Sequence, residues 1–254
     1  MTRLKLSNPF NAPIYHEEDL ISTMITSKEL ARKNEASGTV ICTDFQEEGR
    51  GRMGRKWHTD RGQSLMFTLY LAFDDLCAIP KALSLRTGLA VSLALEELFP
   101  KLKNKIQIKW PNDILLSASK AAGILIESDG KNIFIGMGIN VYQKNFPAEL
   151  ASKATSLALH INETDKNTRF ILLEKILVCL YKELFSDSKN NKEALLSRLY
   201  KYGEEVIFAP KGPDSDETVI GTISGLGENG ELLLIPKEKK EAEAFFSGEL
   251  RVLL

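Results

Sequence analysis

Residues 47–57 read EEGRGRMGRKW, and whether this stretch opens a helix decides the fold class. Gly49, Gly51 and Gly54 spell G-x-G-x-x-G just after Thr39 to Phe45 (TVICTDF), a β-branched run that predicts a strand. That pattern is the dinucleotide fingerprint, which works only where it opens a helix whose N-terminus holds a pyrophosphate. Here the continuation is RKWHTDRGQS, residues 55–64, with no helical apolar period and a further glycine. The doubly wound Rossmann sheet is therefore excluded. The P-loop pattern G-x-x-x-x-G-K-[ST] is also absent from the chain.

What remains is a flexible loop that places Arg50, Arg52, Arg55 and Lys56 within seven residues. Two like charges ~7 Å apart repel by roughly 0.6 kcal/mol in water and ~2.4 kcal/mol at an effective dielectric near 20. Glycine adds the largest backbone entropy cost on ordering. A plain solvated loop gains nothing from such crowding, whereas a bound anion would relieve it. The loop is expected to be disordered when empty and ordered by that anion. Nucleic acid is one candidate, with Trp57 available to stack on a base. Against it, only this segment is basic, Glu47 and Glu48 adjoin it, and the net charge of −1 supplies no wider field. A compact polyphosphate suits the loop better.

The 254 residues allow one substantial core and a small second unit. Cys42, Cys77 and Cys179 are odd in number and far apart, which suits reduced thiols in a cytoplasmic protein. His16, His58 and His160 are scattered, so no zinc-site spacing exists, although a nucleotide could bring Mg²⁺ with it. Neither a signal-peptide pattern nor an apolar run of membrane-spanning length is present.

Outward from the loop, helices are predicted over Glu17 to Lys33, Pro80 to Phe99, Arg169 to Phe185 and Lys192 to Tyr202, with SDSKNNK, Ser186 to Lys192, as a loop. Strands are predicted over Ser64 to Phe73, Lys105 to Trp110, Ile114 to Leu116, Ala121 to Glu127 and Asn132 to Val141. Their close spacing suggests antiparallel hairpins. Short strands separated by Gly and Pro fill Glu204 to Leu254 and suggest a small barrel or sandwich. The expected fold is α+β: a mixed or antiparallel sheet packed with helices over residues 1–202, then a small β domain over 203–254.

Two further segments carry chemistry. KWPNDILL, Lys109 to Leu116, sets Asn112 and Asp113 at a turn made rigid by Pro111, and Lys120 opens the strand AAGILIE. Ordinary turn chemistry would also account for it. In FIGMGINV, Phe134 to Val141, Gly136 and Gly138 interrupt a strong strand, which signals either a bulge or the close approach of a ligand. Asn140 needs partners there if buried.

Together these segments resemble the biotin protein ligases. The family's loop GRGRxGRxW stands here as Gly49 to Trp57, KWPND as Lys109 to Asp113, its AGIL segment within SKAAGIL, Ser119 to Leu125, and GxGINV as Gly136 to Val141. FSGEL, Phe246 to Leu250, extends the likeness to the C-terminus. The resemblance implies a class II synthetase-like catalytic domain with an SH3-like C-terminal barrel. It implies that biotin and MgATP form biotinyl-5′-AMP, which a lysine of a carrier domain, usually that of acetyl-CoA carboxylase, then attacks.

By the same resemblance Lys120 is the main catalytic residue, contacting the biotin carboxylate and the phosphate. Arg52 and Arg55 clamp phosphate oxygens, and Asp113 lies near the metal or the incoming amine. Ser22, Thr23, Gln46, Gly49, Arg50, Gly51 and Gly123 line the biotin site. Lys109 and Asn112 lie by the nucleotide, Asn140 contacts adenine, and Trp57 covers the adenylate. The family's Ser-Thr-Asn stands here as Ser22-Thr23-Met24, with Thr26-Ser27 as another candidate pair; Ser22 and Thr23 also read as a helix start. Only about 15 residues precede the first predicted helix, whereas bifunctional members carry an N-terminal winged helix-turn-helix, so a monofunctional enzyme that does not bind DNA is expected. Edge strands leave a homodimer open. The nearest alternative is a lipoate protein ligase, which lacks this GRGRxGRKW loop.

Overall fold

A computed structural model describes residues 1–162, 164–165, 167–185, 191–213 and 215–251. Among these, eight strands form one mixed sheet: β1 (Thr2–Arg3), β2 (Ile14–Leu20), β3 (Val40–Gln46), β4 (Ser64–Ala72), β5 (Ile106–Lys109), β6 (Asp113–Leu116), β7 (Ser119–Ser128) and β8 (Asn132–Asn140). Their order is β1-β2-β3-β4-β8-β7-β6-β5. Only the β2–β3 pair is parallel, because helix α1 (Thr23–Arg32) crosses between them; the others are antiparallel, joined by short turns from β5 to β8, whereas β4 and β8 pair across 59 intervening residues.

β4, SLMFTLYLA, is buried at every residue but the last. An unbroken apolar run of this kind is what a strand covered on both faces needs. Helices α2 (Leu83–Leu98) and α3 (Thr168–Phe185) cover one face and share its core with Phe67, Leu69 and Ile135. On the other face Met24 and Ala31 of α1 pack against Tyr70 and Phe134, whose rings stack with centroids 5.6 Å apart.

Several sequence expectations shift. Glu17 to Leu20 is strand and not helix; the helical period begins at Thr23. The helix predicted from Pro80 begins at Leu83. The one predicted from Lys192 is the short α4 (Asn191–Leu196), beyond which Arg198 and Tyr200 bond to Ile108 and cover the edge of β5. Residues 186–190 of the predicted loop lie outside the described residues.

The C-terminal strands β9 (Glu205–Ala209), β10 (Val219–Leu226), β11 (Leu232–Pro236), β12 (Glu243–Phe245) and β13 (Glu249–Arg251) form an antiparallel sheet in the order β12-β11-β10-β9-β13. Its outer strands, three described residues each, do not pair with one another, so the expected barrel is an open sheet; residues 252 and 253 of the predicted last strand lie outside the described residues. Trp110, just past β5, helps fix this sheet to the large one. The Trp110 indole N–H donates to the Gly230 carbonyl at 2.9 Å, and its ring packs edge-on against Phe208.

Candidate active site

A cavity of about 850 Å³ lies between α1, the exposed face of β7 and β8, and the cationic loop. Its floor comes from strand register. Gly123 pairs with Gly138 and Leu125 with Gly136, so three of four floor positions lack a side chain. β8 stays in register with β4 from Asn140 to Asn132, so Gly136 and Gly138 mark no bulge. Close approach explains them instead. A Cβ on Gly138 would stand 2.6 Å from the Trp57 ring, and one on Gly136 would stand 2.9 Å from the Met24 methyl.

The bulge sits in β7. Ile114 pairs with Ala122 but Leu115 pairs with Lys120, so one extra residue separates Lys120 from Gly123. Side chains alternate faces along a strand, and an inserted residue reverses the alternation. Lys120 thereby shares the cavity face with Gly123. Its ammonium meets Asp113 Oδ1 at 2.7 Å and lies 5.7 Å from the centre of the Trp57 ring. Lys109 pairs with Asp113 across the β5–β6 turn and joins the same cluster. Burial lowers the Lys109 pKa, against the opposing pull of the Asp113 and Glu249 carboxylates.

Asn112 is fixed on both sides. Its side-chain N–H donates to the Ile124 carbonyl at 2.8 Å, and its Oδ1 accepts from Arg52 at 3.3 Å. Arg52 is half-buried, and desolvation lowers its pKa. Arg55 reaches across to the C-terminal sheet, where its fork meets both oxygens of Glu249 at 2.5 and 3.3 Å. Burial pushes the Glu249 carboxyl up, but the Arg55 hydrogen bond and the Arg55, Lys109 and Lys120 charges outweigh it and hold the pKa below its ordinary value. Arg50 pairs with Glu48. The three loop arginines therefore splay toward separate surroundings.

The loop itself is a narrow turn. Gly51 N–H donates to the Arg55 carbonyl and Trp57 N–H to that of Gly49, while Met53 takes the left-handed conformation at φ 57°. The Met53 methyl would touch a Cβ on Gly212, a second contact with the C-terminal unit.

At the other end, Ser22 stands at the N-cap position of α1 but makes no side-chain cap bond. Gln46 Oε1 takes that place, accepting from the backbone N–H of Thr23 at 2.8 Å and its hydroxyl at 3.0 Å. Ser22, Thr23 and Met24 line the cavity, whereas Thr26 and Ser27 do not. A Cβ on Gly49 would stand 3.2 Å from the Gln46 amide nitrogen, a tight contact that this side chain would have to ease. Asn140 is buried beside the cavity; its side-chain N–H donates to the Thr155 carbonyl at 3.0 Å and its Oδ1 accepts from Ser64 at 3.4 Å.

The structure thus brings the sequence-predicted site residues around one cavity, except Gly49 and the alternative pair Thr26 and Ser27, which do not line it. Sequence reading missed Glu249, which lies in FSGEL, far along the chain and in a separate sheet. It also missed Tyr200, which lines the cavity past the end of α4. Among the described residues, no three His, Cys, Asp or Glu side chains gather as a metal cage, and no helix is long and apolar enough to cross a membrane.

A glycine-floored trough with cations massed at one end defines a site for joining an acid to a phosphate. Residues 19–141 match the biotin/lipoate A/B protein ligase family. The bifunctional ligase/repressor BirA of Bacillus subtilis is 34% identical over 233 residues, covering 89% of this chain and 70% of its own length. The biotin–[acetyl-CoA-carboxylase] ligase of Paracoccus denitrificans is 28% identical, over 89% of this chain and 98% of that protein. A solved structure of the biotin protein ligase from Aquifex aeolicus in complex with biotin and ATP superposes with a TM-score of 0.76 at 30% identity, covering 94% of this chain and 97% of that one. The chain belongs to the biotin protein ligases.

Proposed function

We propose that the protein attaches biotin to one lysine of a carrier domain, that of acetyl-CoA carboxylase, in two steps at this cavity. A biotin carboxylate oxygen attacks the α-phosphorus of ATP, the bond to the β-phosphate breaks, and pyrophosphate leaves. The carrier lysine amine then attacks the carbonyl of biotinyl-5′-AMP, forming an amide and releasing AMP. The observation that carries this reading is the convergence of Lys120, Lys109 and Arg52 at one end of a trough floored by Gly123 and Gly138.

Each group has a physical task. Two anions must meet, and preorganised cations offset the charge that builds in the transition state. Lys120 bridges the carboxylate and the α-phosphate. Arg52 and Arg55 grip phosphate oxygens with planar forks, which lysine cannot do. Lys109 and Asn112 flank the phosphates, Asn140 reads adenine, and Trp57 covers the adenylate. Ser22, Thr23 and Gln46 hold the ureido ring, with Gly49, Arg50 and Gly51 closing over it. Mg²⁺ arriving with the nucleotide would neutralise phosphate charge. A hard-oxygen donor such as Asp113, part-buried in this cationic cluster, fits a metal that keeps one or two protein carboxylates.

Residues 1–202 act as the catalytic unit. Residues 203–254 act as a small β unit that closes on ATP or docks the carrier, a role supported by the Arg55–Glu249 and Met53–Gly212 contacts. The protein works in the cytoplasm without nucleic acid. The net charge of −1 and the engagement of Arg50 and Arg55 by carboxylates of the same chain support this. The test is isotopic ATP–pyrophosphate exchange with biotin and with lipoic acid, followed by labelled transfer to a carrier domain. Biotin-dependent exchange and labelling of one lysine are expected; exchange with lipoic acid alone would assign the enzyme to the lipoate branch.

A further inference from the structure

The trough does not run the length of the sheet. Along β7 and β8 the cross-strand pairs facing α1 are Gly123 with Gly138, Leu125 with Gly136, and Glu127 with Phe134. Gly123, Gly138 and Gly136 give the floor almost no side chains of its own over the first two pairs, where Trp57 and Met24 lie across it, and at the third pair a fully buried ring replaces a glycine. Above that ring, Lys28 of α1 forms an ion pair with Glu127, and its ammonium sits 5.8 Å from the Phe134 centroid. Both side chains border the cavity, and both are part-buried, at 28% and 38% exposure.

The position of this pair is set by the strand. Gly123 lies beside the Lys120 ammonium, and from Gly123 to Glu127 four strand residues span about 13 Å. On the reading above, Lys120 anchors the carboxylate, so an acid in the trough extends from Lys120 toward Glu127. A five-carbon chain carrying a fused bicyclic ring is of comparable length.

We propose that the Lys28–Glu127 pair, seated on Phe134, is a length stop that sets which acids the enzyme adenylates. The proposal rests on the biotin-ligase reading. It assigns these two residues to selection and not to chemistry, since they stand at the end of the trough away from Lys120. A chain one methylene longer drives its ring against the pair, which must then break or force the carboxylate off Lys120. The pair suits such a task because a part-exposed ion pair contributes little to folding.

The test compares kcat/KM in ATP–pyrophosphate exchange for biotin and for its homologue with one more methylene in the acid chain. One methylene too many in a closed pocket costs roughly 10- to 200-fold, and the wild type is expected to prefer biotin within that range. Lys28→Ala and Glu127→Ala should each cut the preference at least about fivefold of that range, while Lys28→Arg, which keeps the pair, should retain it. Biotin exchange by each variant reports that it is folded, and the two alanine variants test the stop independently. Exchange with biotin but an unchanged preference in both would overturn the stop alone. A wild type that exchanges with neither acid would overturn the biotin reading, and the stop with it.

Discussion

Lys120 owes its place to one inserted residue. Strict alternation from Gly123 would point it away from the cavity, and the β7 bulge turns it back. Lys120→Ala should lower biotin-dependent exchange by about 10²–10³, the usual effect of removing a group that stabilises developing charge. The melting temperature should hardly move, because the Lys120–Asp113 pair is partly exposed and such pairs contribute about 0–1 kcal/mol. Activity within a few-fold of wild type would remove Lys120 from the chemistry. Arg52→Gly should leave a folded protein that releases biotinyl-5′-AMP faster, read by retention of labelled intermediate on the enzyme; unchanged retention would count against the loop's role. Sequence motifs made Lys120, Arg52 and Asn112 legible as a set. The bulge was not, since an extra strand residue has no residue-type signature. Ser22 shows the converse: it has the residue type of a helix cap and the position of one, yet Gln46, 23 residues from Thr23, supplies the bond.

The loop and β13 form one mechanical element. The loop is largely exposed and closed by a few backbone hydrogen bonds, the profile of a segment that opens locally at little cost. Arg55–Glu249 adds an anchor from the other sheet. Glu249→Ala should therefore speed tryptic cleavage after Arg52 and Arg55 in the ligand-free enzyme; an unchanged rate would show that β13 does not hold the loop. The same pair gives a pH dependence. Because the Glu249 pKa is lowered, its contribution is fully present above the ordinary carboxylate value and is lost as pH falls through the lowered one. Loop anchoring should thus be constant through neutral pH and fail only in acid. Most strands were legible from apolar runs bounded by turn residues, β4 and β8 above all. Glu17 to Leu20 was misread because Ile21, Met24, Ile25 and Ala31 extend a helical period backward over charged residues whose strand character comes only from pairing with β3.

Across the whole molecule, two layers of helix leave one stretch of sheet uncovered, and the cavity occupies it. The order of the eight strands was not readable, because hairpin spacing gives neighbours but not the β4–β8 junction that closes the sheet. The open terminal sheet was likewise hidden, its outer strands being too short to signal whether they meet. The thiols report on the same packing. Cys42 and Cys179 are buried, and burial pushes the Cys42 thiol up to about 12, whereas Cys77 is exposed. A thiol reagent should label Cys77 rapidly in the native enzyme and the other two only on unfolding; fast labelling of Cys42 would contradict the packing described. The central claim is that residues 49–57 settle onto an acyl-adenylate. Its most direct measurement is the rate of tryptic cleavage within that loop, with and without biotin and ATP together. Strong protection by the pair, and little by ATP alone, is expected. Equal cleavage under all conditions would contradict the account.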